Sequence, residues 1–179
     1  KMSNSLIGTY GHGTENDFVL LFDPNDENNI SSKQAAAICN RETGIGADGL
    51  IRIIKRADKW FMDYRNADGS IAEMCGNGIR VMARYLVDRG HQTSGIFSIN
   101  TRDGAKYLAC PDTGDISVNL GKVAQEAGEI TAANNGKVWT GLNINAGNPH
   151  AVVFVDDISE VEDLMTAEAY ATFVSTLSD

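Results

Sequence analysis

The chain has 179 residues, of which 42% are hydrophobic and 22% charged, and its formal net charge is −9. That length supports a buried core of one domain, or of one domain and part of another, and the composition excludes a chain too polar to fold. The negative charge argues against a nucleic acid or an anionic membrane as partner, since either needs clustered Lys and Arg, and leaves small molecules or proteins.

The N-terminal stretch KMSNSLIGTYGHG has no basic-then-apolar signal pattern, and the longest apolar runs, such as AVVFV, fall far short of the ~20 residues that cross a bilayer. The expected location is cytoplasmic. After the glycine-rich turn GHGTEN, the run DFVLLFD is apolar, short and followed by Pro24, and reads as a buried strand. SSKQAAAICNRETG reads as a helix capped by Ser31 or Ser32, with Gly44 beyond its end. GLIRIIKR and WFMDYRN read as two further strands leading into Asp68-Gly69, a pair suited to a tight turn.

The next helix is expected over residues 77–89. There Ile79, Met82, Ala83 and Leu86 fall at i, i+3, i+4 and i+7, and Val81, Tyr85 and Val87 widen the stripe beyond that of a surface helix, so this helix is expected to be central. IFSINTRDGAKYLAC reads as a hairpin around Asp103-Gly104, and DISVNLG as an alternating strand. Many strands around few helices give an α+β fold class. KVAQEAGEITAANNG, rich in Ala, Glu, Asn and Gly, reads as a boundary near residues 122–136. Beyond it KVWTGLNINAG and HAVVFVDD read as strands, and Ser159 with Glu162 can form a capping box for a helix running to about Leu177.

Cys39, Cys75 and Cys110 are an odd number of cysteines at wide spacings, without metal-ligand spacing, which fits free thiols in a reducing compartment. Cys39 inside an Ala-rich helix and Cys110 ending an alternating strand read as core residues. Cys75 stands at a helix start, where unpaired backbone N–H groups and the dipole favour negative charge. Such a position lowers a thiol pKa from ~8.5 to ~3.5–7.5. Gly76 and Gly78 let the backbone approach a ligand, so the same amides can hold a carboxylate or phosphate. C-G-N-G equally reads as a turn and cap around a buried thiol. A nucleophilic cysteine needs a base, and spacing places none of His12, His91 and His150 beside it. Asn148-Pro149-His150 offers an amide and an imidazole between two strands, yet Asn-Pro is also a common turn. GTENDF and GIGADG read first as turns whose Gly, Asn and Asp serve positive φ.

Taken in order, GTENDF, GIGADGLI, RNADGSIAEMCGNGIR and GNPHAVVFVDD resemble the diaminopimelate epimerase family, from about Gly8 to Asp157. The last two motifs are highly specific, and Asn77 after the C-G pair sets the chain apart from related racemases. The resemblance implies two similar halves, each a curled, largely antiparallel sheet around a central helix, with the active site in the cleft between them. Residues 1–122 would be the first half, and residues 123–179 the beginning of an incomplete second half. By position, Cys75 resembles one of two catalytic cysteines, and His150 a histidine that supports the catalytic geometry. Asn16, Asn66 and Asn148 resemble substrate-binding residues, and Gly76 and Asn77 would present backbone amides to the substrate carboxylate.

The implied reaction interconverts LL- and meso-2,6-diaminopimelate for lysine and peptidoglycan precursors in bacteria. One thiolate acts as base and one neutral thiol as acid, with no cofactor and no metal. A homodimer, common in the family, is compatible with this reading. The family's second cysteine, its glycine- and threonine-rich loop and a Glu-Arg pair lie later than this chain reaches, and Gly49 stands where some members carry a substrate-contacting side chain. A second reading therefore stays open, that of a catalytically silent chain acting as a substrate-binding or assembly module.

Overall fold

The computed structural model describes residues 6–134, 136–146 and 149–160, and the chain divides into two compact units, Lys1–Leu120 and Gly121–Asp179. The first unit contains, in chain order, β1 (Gly8–Gly13), β2 (Asn16–Phe22), α1 (Ser32–Cys39), β3 (Gly49–Arg56), β4 (Lys59–Asn66), α2 (Gly76–Asp88), β5 (Gly95–Thr101), β6 (Gly104–Cys110) and β7 (Ser117–Asn119). The seven strands form one sheet in sequence order. β2–β3 and β4–β5 are parallel and the other neighbours antiparallel, so the α+β sheet is mixed. The parallel pairs arise where α1 and α2 return the chain across the sheet, since parallel neighbours need a crossover rather than a hairpin.

From Phe18 onward β2 is apolar because both faces of the sheet are covered. Phe18 and Leu20 join a core with Ile51, Ile53, Met62, Ile99 and Leu108 from the strands and Ile79, Met82, Ala83 and Leu86 from α2. Val19 and Leu21 point the other way and pack with Leu50 and with Ala35 and Cys39 of α1. The apolar stripe read from residues 79, 82, 83 and 86 is thus the buried face of α2. α2 touches both edge strands, β1 and β7. In a flat seven-stranded sheet those edges would lie roughly 29 Å apart at ~4.8 Å per strand, more than the ~20 Å length of a 13-residue helix. The sheet therefore curls toward α2.

α1 begins with a reciprocal capping box: Ser31 Oγ accepts from Gln34 N at 3.2 Å, and Gln34 Oε1 accepts from Ser31 N at 2.9 Å. Cys39 and Cys110 are both buried. Residues 11–13, read as the start of the turn GHGTEN, belong instead to edge strand β1, and the turn is only Thr14-Glu15, with φ of 52° and 64°. The glycines serve space more than φ. A Cβ at Gly11 would stand 2.9 Å from Val81 Cγ1 of α2. Gly69 needs both, since its φ is +83° and a Cβ there would lie 2.0 Å from Ser32 O, where the turn after β4 rests on the start of α1. The alternating strand expected over residues 115–121 shortens to β7.

The second unit holds β8 (Ala124–Asn134), β9 (Lys137–Asn145), β10 (Pro149–Val152) and a 3-10 turn, Ile158–Glu160. The strands form an antiparallel sheet in the order β10-β9-β8. The stretch read as a boundary, residues 122–136, holds strand β8, an edge strand with a register shift between Gln125 and Glu129, where Gly128 has φ 92°. An exposed, bulged edge needs small and polar residues, which is also what a linker uses. The helix expected toward Leu177 lies outside the described residues. No helix among those residues is long and apolar enough to cross a membrane.

Candidate functional site

Cys75 is the N-cap of α2. Its backbone is extended, its carbonyl accepts from Ile79 N at 2.9 Å, and its Sγ accepts from Gly78 N at 3.4 Å, the place usually taken by a Ser or Asp oxygen. Gly76 and Asn77 are the first helical residues, and their N–H groups have no carbonyl within the helix to reach. A half-buried sulfur and two amides thus meet at the positive end of the helix dipole. Gly78 allows this start to sit low on the sheet, because a Cβ there would lie 3.0 Å from Ile51 Cδ1.

Asn16, where β2 begins, links these groups. Its Oδ1 accepts from Cys75 Sγ at 3.7 Å and from Asn77 Nδ2 at 3.3 Å, and its Nδ2 donates to Asp48 Oδ2 at 2.7 Å. Asn77 Oδ1 accepts from Thr14 Oγ1 at 3.2 Å and from Arg80, which fixes the orientation of that amide. Asp48 is held in turn by Asp17 and Arg41. Asp48 N donates to Asp17 Oδ1 at 2.8 Å, and Arg41 forks onto Asp17 at 3.0 and 2.8 Å and reaches Asp48 Oδ1 at 2.9 Å. Tyr10 adds a hydroxyl to Asp17 Oδ2 at 2.7 Å.

The Arg41 hydrogen bonds, opposed by burial and aided by Tyr10 and Asp48, hold the Asp17 carboxyl well below the usual carboxylate range. A depressed folded-state pKa contributes stability that is fully present above the unfolded value of ~3.9 and is lost as pH falls through the folded value. Asp17→Asn is therefore expected to cost about 2 kcal/mol at pH 7, with a smaller gap from the parent at pH 3. Urea unfolding at the two pH values checks this, and an equal gap at both contradicts it.

The other expected residues lie on other elements of the chain. Asn66 ends β4 opposite Gly49 and donates from Nδ2 to Ser70 Oγ at 3.0 Å, with no hydrogen bond to Cys75 among the described residues. His150 is exposed on β10 of the second unit, in register with Ile144. Asn148 lies outside the described residues. His91 is a packing residue, stacked on Phe22 with ring centroids 4.1 Å apart.

Tyr64 is a neighbour of Cys75 that motif spacing did not disclose. Trp60, Met62 and Tyr64 alternate along β4 onto the face that α2 covers, and this period of two was the available signal. A Cβ at Gly49 would lie 2.5 Å from Tyr64 Cε2, so the glycine makes room for the ring. Burial first, then the charge and hydrogen bonding of Cys75, push the Tyr64 phenol well above its ordinary value.

A curled mixed sheet carrying a helix that starts on a cysteine, with asparagine amides gathered around the sulfur, defines an α+β protein with a thiol-and-amide site. A family model described as diaminopimelate epimerase matches residues 8–125, and the chain belongs to that family. The diaminopimelate epimerase of Streptomyces coelicolor is 41% identical, over 95% of this chain and 63% of its own length. Those of Rhodococcus opacus and Corynebacterium glutamicum are 44% and 40% identical, over 78% and 83% of this chain and 55% and 58% of theirs. The chain thus spans less than two thirds of the length of these curated relatives. A solved phenazine biosynthesis PhzC/PhzF protein from Clostridium difficile matches with a TM-score of 0.51 at 10% identity, over 90% of this chain and 59% of that one. At that identity the likeness is one of fold.

Proposed function

We propose that this chain carries one acid–base thiol of an epimerase that inverts an α-carbon of diaminopimelate, interconverting the LL and meso isomers. The observation that supports this reading most is the Cys75 sulfur capping α2 beside the two first-turn backbone amides and the Asn16–Asn77 amide pair. An α-proton next to a carboxylate is a very weak acid. Removing it requires a base on one face and stabilisation of the charge that moves into the carboxylate. Cys75 as thiolate supplies the base, and the Gly76 and Asn77 amides with the helix dipole receive the charge. Return of a proton to the opposite face needs a second acid. Cys39 and Cys110 are buried in the core, and the family resemblance assigns that acid to a second cysteine later in the family's length.

Asn16, Asn66 and Asn148 bind the substrate's zwitterionic groups, since a neutral amide donates and accepts at once, and His150 supports the catalytic geometry. In this reading residues 1–122 are the first epimerase half with α2 as its central helix, and residues 123–179 begin the second half. Two thiols and a set of amides suffice for both proton transfers, so the mechanism calls for no cofactor. It does require a reducing compartment such as the bacterial cytoplasm, and it serves lysine and peptidoglycan precursor synthesis.

The test is to incubate the full-length protein with LL-diaminopimelate in deuterium oxide without added cofactor. Incorporation of α-deuterium, followed by mass spectrometry, is expected together with the meso isomer. No incorporation into substrate or product would overturn the reading.

A further inference from the structure

The chemistry proposed above needs the amides beside Cys75 to face in definite directions, and an asparagine side chain has two ends of nearly equal shape. One donates and the other accepts. Asn16 and Asn77 stand in a row beside the sulfur, both half-buried. The contact between them runs from Asn77 Nδ2 to Asn16 Oδ1 at 3.3 Å, and the same oxygen accepts from Cys75 Sγ at 3.7 Å. Turning Asn16 over would set its NH2 group against the Asn77 NH2 and the Cys75 S–H, three donors with no acceptor among them.

The direction of the row is set at its two ends by groups with a single hydrogen-bonding sense. The Arg80 guanidinium only donates, so it takes Asn77 Oδ1 and leaves Nδ2 for Asn16. At the other end the Asp48 carboxylate only accepts. Its Oδ2 holds Asn16 Nδ2 at 2.7 Å, closer than either contact of Asn16 Oδ1. Asp48 is itself fixed. Oδ2 also accepts from Asp17 N at 3.1 Å, Oδ1 accepts from Arg41 at 2.9 Å, and its own backbone N–H donates to Asp17 Oδ1 at 2.8 Å. The carboxylate therefore stays in place while Asn16 is aimed by it.

We propose that Asp48 is a positioning residue for Cys75: by holding the Asn16 NH2 group it turns the Asn16 carbonyl toward the sulfur, where that carbonyl receives the S–H whenever Cys75 carries the proton. The proposal rests on Cys75 acting as an acid–base thiol. A neutral amide oxygen is far too weak a base to take the proton, so it aims the S–H without competing for it. When Cys75 is the acid, its proton leaves from a fixed position, and when it is the base, the thiol that forms finds an acceptor already in place.

The test is Asp48→Asn, which keeps the shape but offers Asn16 a donor as well as an acceptor, so that Asn16 is free to turn over. In the full-length protein, kcat/KM for α-proton exchange is expected to fall roughly tenfold, about the worth of one charge-assisted hydrogen bond. Asp48→Glu, whose carboxylate still only accepts, is expected to retain more exchange than Asp48→Asn. Asn16→Ala removes the group through which Asp48 acts, so adding Asp48→Asn to it is expected to change the rate less than about twofold. A second readout is independent of turnover. The side-chain ¹H–¹⁵N signals of Asn16, identified by their loss in Asn16→Ala, are expected to lose the downfield shift of a carboxylate-bonded proton in Asp48→Asn. Equal fold-losses with and without Asn16 would assign Asp48 a structural role or a direct effect of its charge, and overturn the proposal, as would unchanged Asn16 signals in Asp48→Asn. If the parent protein exchanges no α-proton, the epimerase reading fails while the amide signals still decide the contact between Asn16 and Asp48. If the parent exchanges normally and Asp48→Asn matches it, the Asp48 assignment alone fails.

Discussion

Cys75→Ala is expected to reduce α-proton exchange by at least 10²–10⁴-fold, the usual contribution of a positioned acid or base. Cys75→Ser should be nearly as inactive, because an alcohol is a far weaker acid than a thiol and yields far less of the anion that would act as base. Stability separates the two variants. The sulfur also caps α2 through Gly78 N, so alanine removes a cap and is expected to cost about 0.5–1 kcal/mol, whereas serine is a preferred cap and should keep or raise stability. A protein that is as stable as its parent and chemically silent would show that position 75 is spent on chemistry. Exchange measured alongside urea unfolding decides the matter, and near-parental exchange in either variant would remove Cys75 from the mechanism.

The capping role of Cys75 beside its proposed chemical one explains why the residues around it were only half legible in the sequence. C-G-N-G could be read as a cap or as a reactive site, and the structure makes the same sulfur the cap, with the cluster of amides built around it. Cys75, Gly76 and Asn77 were visible because they are contiguous with a strongly periodic helix. Asn16 lies 59 residues from Cys75, and only the ordered set of motifs pointed to it. Asp48 and Tyr64 were hidden for a further reason. They join the cluster through strand pairing and through Gly49, and the spacing of a single motif carries no information about pairing between distant strands.

The same distinction holds for the fold. β2, β3, β4, the β5–β6 hairpin and both helices followed from local periodicity and caps. The parallel pairings depend on where each helix returns the chain, which no local pattern encodes. Glycines misled the reading of β1. A glycine needed for positive φ and one needed for close approach look alike in sequence, and Gly11 is the second kind. That the boundary stretch also forms strand β8 was not visible, because an exposed, bulged edge strand and a linker share a composition.

Arg52→Ala is expected to cost about 3–5 kcal/mol, a large share of the 5–15 kcal/mol available to a typical domain. Arg52 lies in β3, its side chain 6% exposed, and it contacts Asp23 at 3.0 Å and its cross-strand partner Asp63 at 3.1 Å, both 4% exposed. It also donates to Asn28 O at 2.9 Å, tying the segment after β2 to the sheet. Alanine leaves two buried carboxylates with fewer counter-charges. Asp63 keeps Arg65 and Arg102, so the greater loss falls on Asp23, which then relies on Asn28 and the backbone of Glu27.

The pH dependence follows from the same contacts. Burial alone would raise both carboxyls, but donors from Asn28 and Arg52 at Asp23, and from Arg102, Arg65 and Arg52 at Asp63, outweigh it and hold both below the ordinary value. Their contribution is present above the unfolded pKa of ~3.9 and is lost as pH falls through the folded values. Arg52→Ala forfeits part of that contribution, so its deficit is expected to be largest at neutral pH and to shrink on acidification below about pH 4. Arg52→Lys keeps a charge but loses the planar fork that serves several oxygens, and is expected to fall between the parent and the alanine variant. Urea unfolding at pH 7 and pH 3 checks all three proteins. A cost for Arg52→Ala below about 1 kcal/mol at pH 7 would place this cluster with surface ion pairs, whose net worth is about that small, and a deficit that grows on acidification would show that the buried carboxylates do not depend on Arg52.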